Sequence, residues 1–175
     1  MPHIIEEVKG LYKIIQFKEF RKTQGVTFDV VPVKALGKID AVDRVLHSTC
    51  AISPSAVGSV SRPWYMHGHQ EDNLVVLYGT RYVDIFTPEH GKVEQFTVTP
   101  NSVYKGDKLI CEGGAMLAWP KGVFHRIVSG DEGSASINLA MHFDGFDIDT
   151  NFDIFDVDLD SGKYEIIRNG FKDQT

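Results

Sequence analysis

The chain has 175 residues, 42% of them hydrophobic and 11% aromatic, which suits one compact domain with a substantial core and excludes a disordered protein. A formal net charge of -6 without clustered Lys and Arg excludes a nucleic-acid backbone as the expected partner. No apolar run approaches the ~18 residues that cross a bilayer, and Met1-Pro2-His3-Ile4-Ile5-Glu6-Glu7 lacks the basic start and small-residue cleavage site of a signal peptide. The two cysteines, Cys50 and Cys111, are not spaced as a motif and read as reduced thiols, so the expected compartment is the cytoplasm.

In chain order, the first predicted element is a helix over Leu11–Lys22, from the imperfect amphipathic spacing of Leu11, Ile14 and Ile15. Strand signals dominate after residue 25. Thr27–Val33 reads as a strand placed at an edge by Pro32, and Ala41–His47 reads as another that continues toward Cys50. Further strands are predicted over Leu74–Tyr78, Tyr82–Phe86, Glu94–Thr99, Ala115–Ala118 and Ser136–His142. Turn chemistry at Gly79-Thr80, Glu89-His90-Gly91, Pro100-Asn101, Glu112-Gly113-Gly114 and Ser129–Gly133 separates them. Many short strands with frequent turns indicate an all-β sandwich or barrel in one domain.

The acidic tail Asp156-Val157-Asp158-Leu159-Asp160-Ser161-Gly162 does not fit a calcium loop, because the Gly falls one residue late and Ile167 stands where the bidentate Glu belongs. It reads instead as a half-buried hairpin with Phe155, Val157 and Leu159 on one face, turning at Asp160-Ser161-Gly162 into Tyr164–Ile167. Such a hairpin covers a barrel edge or pairs with a neighbouring subunit.

Two stretches carry the candidate chemistry. The first is His67-Gly68-His69-Gln70-Glu71-Asp72-Asn73, followed by Leu74–Tyr78 and Gly79; the second runs from Gly114 through Trp119-Pro120-Lys121-Gly122-Val123-Phe124 to His125. Side chains two apart on a strand share a face, so His67 and His69 are predicted to present two imidazoles to one point, with His125 as a third from a distant strand. Imidazoles in a barrel interior need partners, and metal ligation is a direct way to provide them. His3, His47 and His90 read as surface or satisfied residues, and His142 as structural.

Both stretches resemble the signature motifs of the cupin superfamily, over roughly residues 45–143. Gly114, Pro120, Gly122 and His125 fall on the spacing of the second motif, with Ser129 where its terminal Asn is expected. His67, His69 and Gly79 fit the first, Ser61 replaces its leading Gly, and counting back from Gly79 puts Asp72 at the position of its Glu. A one-residue bulge would bring Asn73 or Glu71 to that place instead. The resemblance implies an RmlC-like jelly-roll barrel, a double-stranded β-helix, with its core at about 27–143, an N-terminal extension over 1–26 and a C-terminal β extension over 144–175. It also implies a homodimer.

A metal site of His67, His69, His125 and Asp72 would suit Fe, Mn, Ni, Cu or Zn and keep positions open for a small organic ligand, although many cupins use the same cavity without metal. Tyr65, Met66, Trp119 and Phe124 are expected to give that ligand a mostly apolar wall. A fainter resemblance is to the dTDP-4-dehydrorhamnose 3,5-epimerase-like branch, in the cadence of Asn73–Gly79, Tyr82-Val83-Asp84-Ile85 and Trp119–His125. That branch typically carries Arg-Gly-Leu-His where this chain has Trp64-Tyr65-Met66-His67, and a Lys near Asp72 or Asn73. It implies a nucleotide-sugar epimerase or isomerase with His67 or His125 as general base and no metal. The cluster of basic residues that would hold a diphosphate is not visible. A non-catalytic ligand-binding cupin is the remaining reading.

Overall fold

A computed structural model describes residues 4–174 of the chain. Its strands are β1 (Ile4–Val8), β2 (Tyr12–Gln16), β3 (Lys18–Thr23), β4 (Val26–Val30), β5 (Ala41–His47), β6 (Ile52–Ser53), β7 (Trp64–Met66) and β8 (Gln70–Phe86). They continue as β9 (Glu94–Thr99), β10 (Ser102–Lys105), β11 (Lys108–Glu112), β12 (Ala115–Trp119), β13 (Phe124–His142), β14 (Ile154–Val157) and β15 (Tyr164–Arg168), with the one-turn helix α1 (Ile148–Asn151) before β14. Thirteen strands join in one antiparallel network and β3 pairs with β4 in a separate ribbon. No described helix is long and apolar enough to cross a membrane.

The helix expected over Leu11–Lys22 is absent. Gly10 turns the chain at φ +79, after which β2 adds to the edge of β12 and β3 leads into the ribbon. Ile14 lies in the main core with Val83, Phe96 and Leu117, whereas Ile15 lies on the other side with Val75 and Met116. A strand buried on both faces needs adjacent apolar residues, and over so short a segment that pattern imitates a helix face. β5 ends at His47 and does not continue to Cys50; both cysteines are free thiols, Cys50 exposed and Cys111 buried.

β8 and β13 organise the molecule. They pair with each other along their length, while β8 also pairs with β12 and β9 and β13 also pairs with β5, β6 and β7. The turn signals at Gly79-Thr80 and Ser129–Gly133 therefore bend two long strands and do not separate shorter ones. Between Arg81↔Ser129 and Gly79↔Ser134 the register jumps, so residues 130–133 of β13 loop outward. Gly79 (φ +70) crosses against Gly133 (φ +73), and a Cβ on Gly79 would stand 2.0 Å from the Gly133 carbonyl oxygen. Only glycine meets both the positive φ and the contact.

The hairpin of β14 and β15 forms at the place the tail pattern indicates. Phe155 and Val157 are buried against Trp64, Phe86 and Phe124, while Leu159 lies past the strand end and is partly exposed. Ile14→Ala is expected to lower stability by ~2–5 kcal/mol, the range for emptying a fully buried aliphatic site. Urea unfolding is the measurement, and a change under about 0.5 kcal/mol would mean that the β2 segment is not part of the core.

Candidate functional site

Residues of six strands, β5, β6, β7, β8, β12 and β13, and of the start of the C-terminal segment line a cavity of about 140 Å³. β5 alternates cleanly, with Asp43, Val45 and His47 turned inward and Val42, Arg44 and Leu46 exposed. On β8 the same alternation sends Gln70, Asp72 and Leu74 to the cavity. Glu71 faces away and pairs with Lys13 at 2.8 Å, while the Asn73 amide donates to the Leu139 carbonyl. Of the three groups left open at this point in the sequence, Asp72 is the one brought to the site.

His67 and His125 meet Asp72 there. Their Nε2 atoms lie 3.2 and 3.8 Å from Asp72 Oδ2, and each of the three side chains is buried. The other carboxylate oxygen, Oδ1, accepts from Gln70 Nε2 and from Asn138 Nδ2, both at 2.6 Å. Behind Gln70, the Asn151 amide donates to its Oε1 at 3.0 Å. His67 Nδ1 is hydrogen-bonded to the Asn151 carbonyl and His125 Nδ1 to the Val123 carbonyl. A carbonyl only accepts, so both rings carry hydrogen on Nδ1 and turn Nε2 toward Asp72.

His69 does not join them. The chain leaves β7 at Met66 and enters β8 at Gln70, and His67-Gly68-His69 forms the bend between, so the two-residue alternation of a strand does not apply. The His69 ring is exposed and lies beside Gly145. The expected three-histidine set is thereby replaced by two histidines and one carboxylate, with a ligand atom from each within 4.8 Å of the others.

Tyr65 and Trp119 line the cavity, Trp119 with its ring 4.9 Å from that of His125 and Tyr65 with its ring 6.1 Å from it. Phe124 does not. Adjacent strand residues face opposite sides, so placing His125 inward sends Phe124 outward into the cluster with Trp64, Phe86 and Phe155. Met66 packs against that same cluster. His142 stacks on Phe146 at 3.6 Å, away from the imidazole pair.

Sequence reasoning missed Asp43, His47, Arg81, Ser136, Asn138 and Phe152, all of which line the cavity. The alternation of β5 and of the second half of β13 was legible, but which face pointed inward was not. Of the two readings open for His47 the structure shows the satisfied one, its Nδ1 2.9 Å from the Ser129 hydroxyl, and adds that the residue lines the cavity.

Burial opposes the charge on His67, but the neighbouring Asp72 carboxylate and the Asn151 carbonyl outweigh it and raise its pKa above the ordinary imidazole value. Burial likewise works to raise the Asp72 pKa, and the charge and hydrogen bond of His67, aided by His125 and Gln70, hold it well below the usual carboxylate range. Burial, then the charge on His67, pushes His125 down to about 4. The site therefore favours the charge on His67 and disfavours it on His125.

No family model matches the sequence, and no curated protein matches it. Solved structures resemble the fold. QdtA, a sugar 3,4-ketoisomerase from Thermoanaerobacterium thermosaccharolyticum solved with TDP, is 13% identical with a TM-score of 0.55 over 81% of this chain and 85% of its own. WlaRB, a TDP-quinovose 3,4-ketoisomerase from Campylobacter jejuni, is 14% identical with a TM-score of 0.53 over 80% and 89%. The rmlC epimerase of Mycobacterium tuberculosis is 10% identical with a TM-score of 0.56 over 80% and 67%. The chain has the RmlC-like jelly-roll fold of the cupins.

The imidazoles set the acid limb of stability. His47 and His125 both have pKa values of about 4 against 6.5 for a free imidazole, so charging them costs more in the folded state. Their contribution is complete above pH 6.5 and is lost as pH falls toward 4. His67 acts oppositely, contributing fully below 6.5 and losing that contribution as pH rises through its raised folded value. Urea midpoints are expected to be lower at about pH 4.5 than at about pH 7, with a flatter profile in His125→Gln. An unchanged slope in that variant would show that His125 is not the buried neutral base described.

Proposed function

We propose that the chain is an acid–base isomerase or epimerase acting on a keto-sugar, with His67 as the group that moves the proton. The observation that carries this reading is the buried His67–Asp72 pair facing a ligand-sized cavity. The fold adds support, since solved proteins that share it are described as sugar 3,4-ketoisomerases and an epimerase.

The chemistry follows from the pair. In its neutral form His67 takes a proton from the carbon next to the substrate carbonyl through Nε2 and becomes the imidazolium that Asp72 stabilises. Asp72 Oδ2 lies 3.2 Å from that nitrogen, and because its pKa is held well below the carboxylate range the proton stays on the ring. For isomerisation the same proton returns to the neighbouring carbon while the hydroxyl proton released there goes back to the Tyr65 oxygen, so that the carbonyl moves one position; epimerisation needs a second group to deliver a proton to the opposite face. Tyr65, whose pKa burial raises above the ordinary phenol value, supplies a protonated hydroxyl for the carbonyl oxygen. Because His67 must first lose its proton, activity rises with pH through its raised pKa.

Incubation with TDP-4-keto-6-deoxyglucose and a panel of free keto-sugars in heavy water, followed by mass spectrometry, reads carbon-bound hydrogen exchange directly. His67→Asn is expected to slow exchange by ~10²–10⁴-fold, the usual range for a general base. Exchange unaffected by that change would end the proposed role.

One observation favours a second reading. Histidines that bind metal almost always donate their other ring N–H to a carbonyl or carboxylate, as both do here, and the donor set of two neutral imidazoles and a carboxylate fits a divalent transition ion. Bound by His67, Asp72 and His125, such an ion would supply Lewis-acid stabilisation to an enediolate. Metal analysis of protein purified without chelator is expected to find an ion that Asp72→Asn retains more weakly by at least the roughly 10- to 100-fold typical of losing a group that only orients a ligand. Equal metal content in the two proteins leaves the proton-transfer reading alone.

A further inference from the structure

The far end of the cavity is built differently from the imidazole end. Arg81 is 2% exposed and lines the cavity, yet its hydrogen bonds go to neutral acceptors, Nε to the Ser134 hydroxyl at 3.0 Å and Nη2 to the Val45 carbonyl at 3.2 Å. No carboxylate pairs with the guanidinium among the described residues. Burial is the one influence on its pKa, which falls to about 10 with no carboxylate to restore it. A buried charge without a counter-ion costs free energy, and charged residues are rarely left so unless something else pairs with them.

The surroundings add donors. The Ser136 hydroxyl is buried and unpartnered, and Ser136 sits across from Val45, the residue whose carbonyl Arg81 holds. His47 is locked into a chain with Ser129 and Ser134, whose hydroxyls are 2.7 Å apart. The carboxylates that line the cavity are already engaged at the opposite end, Asp72 with the imidazoles and Asp43 with Asn138.

We infer that Arg81 and Ser136 form a carboxylate-binding subsite, so that the ligand is a small sugar acid whose carboxylate lies at Arg81 and whose carbonyl or hydroxyl end reaches His67. This rests on the isomerase reading for what happens at His67, not for the binding itself. A single guanidinium suits a monoanion. A nucleoside diphosphate carries more charge, and Arg81 is the one Lys or Arg among the residues lining the cavity.

Calorimetric titration of the full chain with glucuronate, galacturonate and gluconate, each against its neutral counterpart glucose, galactose or sorbitol, tests the inference without any variant. At least one acid is expected to bind about tenfold or more tightly than its neutral partner, the increment of a charge-assisted hydrogen bond. Arg81→Gln, checked for folding by its urea transition, is expected to erase that preference while leaving binding of the neutral partner. If no acid is preferred, or if thymidine diphosphate binds through Arg81 in their place, the carboxylate subsite is overturned. Carboxylate binding without carbon-bound hydrogen exchange would overturn the isomerase reading and leave the subsite standing; exchange on neutral keto-sugars without carboxylate preference would do the reverse.

Discussion

The site depends on one buried carboxylate. Asp72 is taken out of water at a cost that only its neighbours repay, and it has four of them: two amide donors on one oxygen and two imidazoles on the other. Removing one partner of a buried pair typically costs ~3–5 kcal/mol, because the charge left behind has nowhere to go. That constraint holds Gln70 and Asn138 in place and orients both rings. The carboxylate favours charge on both imidazoles, and it prevails over burial at His67 but not at His125, where burial and the charge on His67 prevail.

Holding those groups together requires long strands that bend. Asp72 and Arg81 lie on one strand, and His125, Ser129, Ser136 and Asn138 on another, so β8 and β13 between them supply both ends of the cavity. The bend at Gly79 and Gly133 is what allows a continuous hydrogen-bonded pair to wrap around an interior. The closing contribution comes from outside the barrel strands. Asn151 and Phe152, just after the barrel, reach back to hold His67 from behind and to wall the cavity. The C-terminal hairpin anchors that segment through the Trp64 aromatic cluster, which couples its apolar packing to the orientation of the His67 ring.

The cavity is consequently polarised along its length. Its imidazole end holds the Asp72 carboxylate, while its Arg81 end holds the guanidinium and the Ser136 hydroxyl. Apolar contributions from Leu74, Val45 and Ile127 between them exclude water and strengthen both sets of charges. A fold shared by many chemistries acquires its own selectivity through such placement of a few polar groups.

The sequence by itself determined the fold class and half of the site. Alternating strands and frequent turn residues are local properties, and the spacing of Gly114, Pro120, Gly122 and His125 is rigid enough to be read without coordinates. Asp72 was legible as a candidate for the same reason. What failed were the inferences that depend on where a strand begins and which side is covered. Ile14 and Ile15 look helical until both faces of β2 are seen to be buried, His69 looks inward until the bend after Met66 breaks the alternation, and Phe124 looks like a cavity wall until His125 takes the inward position. His47 and Asn138 lie on strands whose alternation is legible while the inward face is not, and Arg81 carries no local signal. Their role exists only because strands distant in the chain lie side by side, and burial, which makes a lone guanidinium meaningful, is a property of the assembled barrel and not of any segment of it.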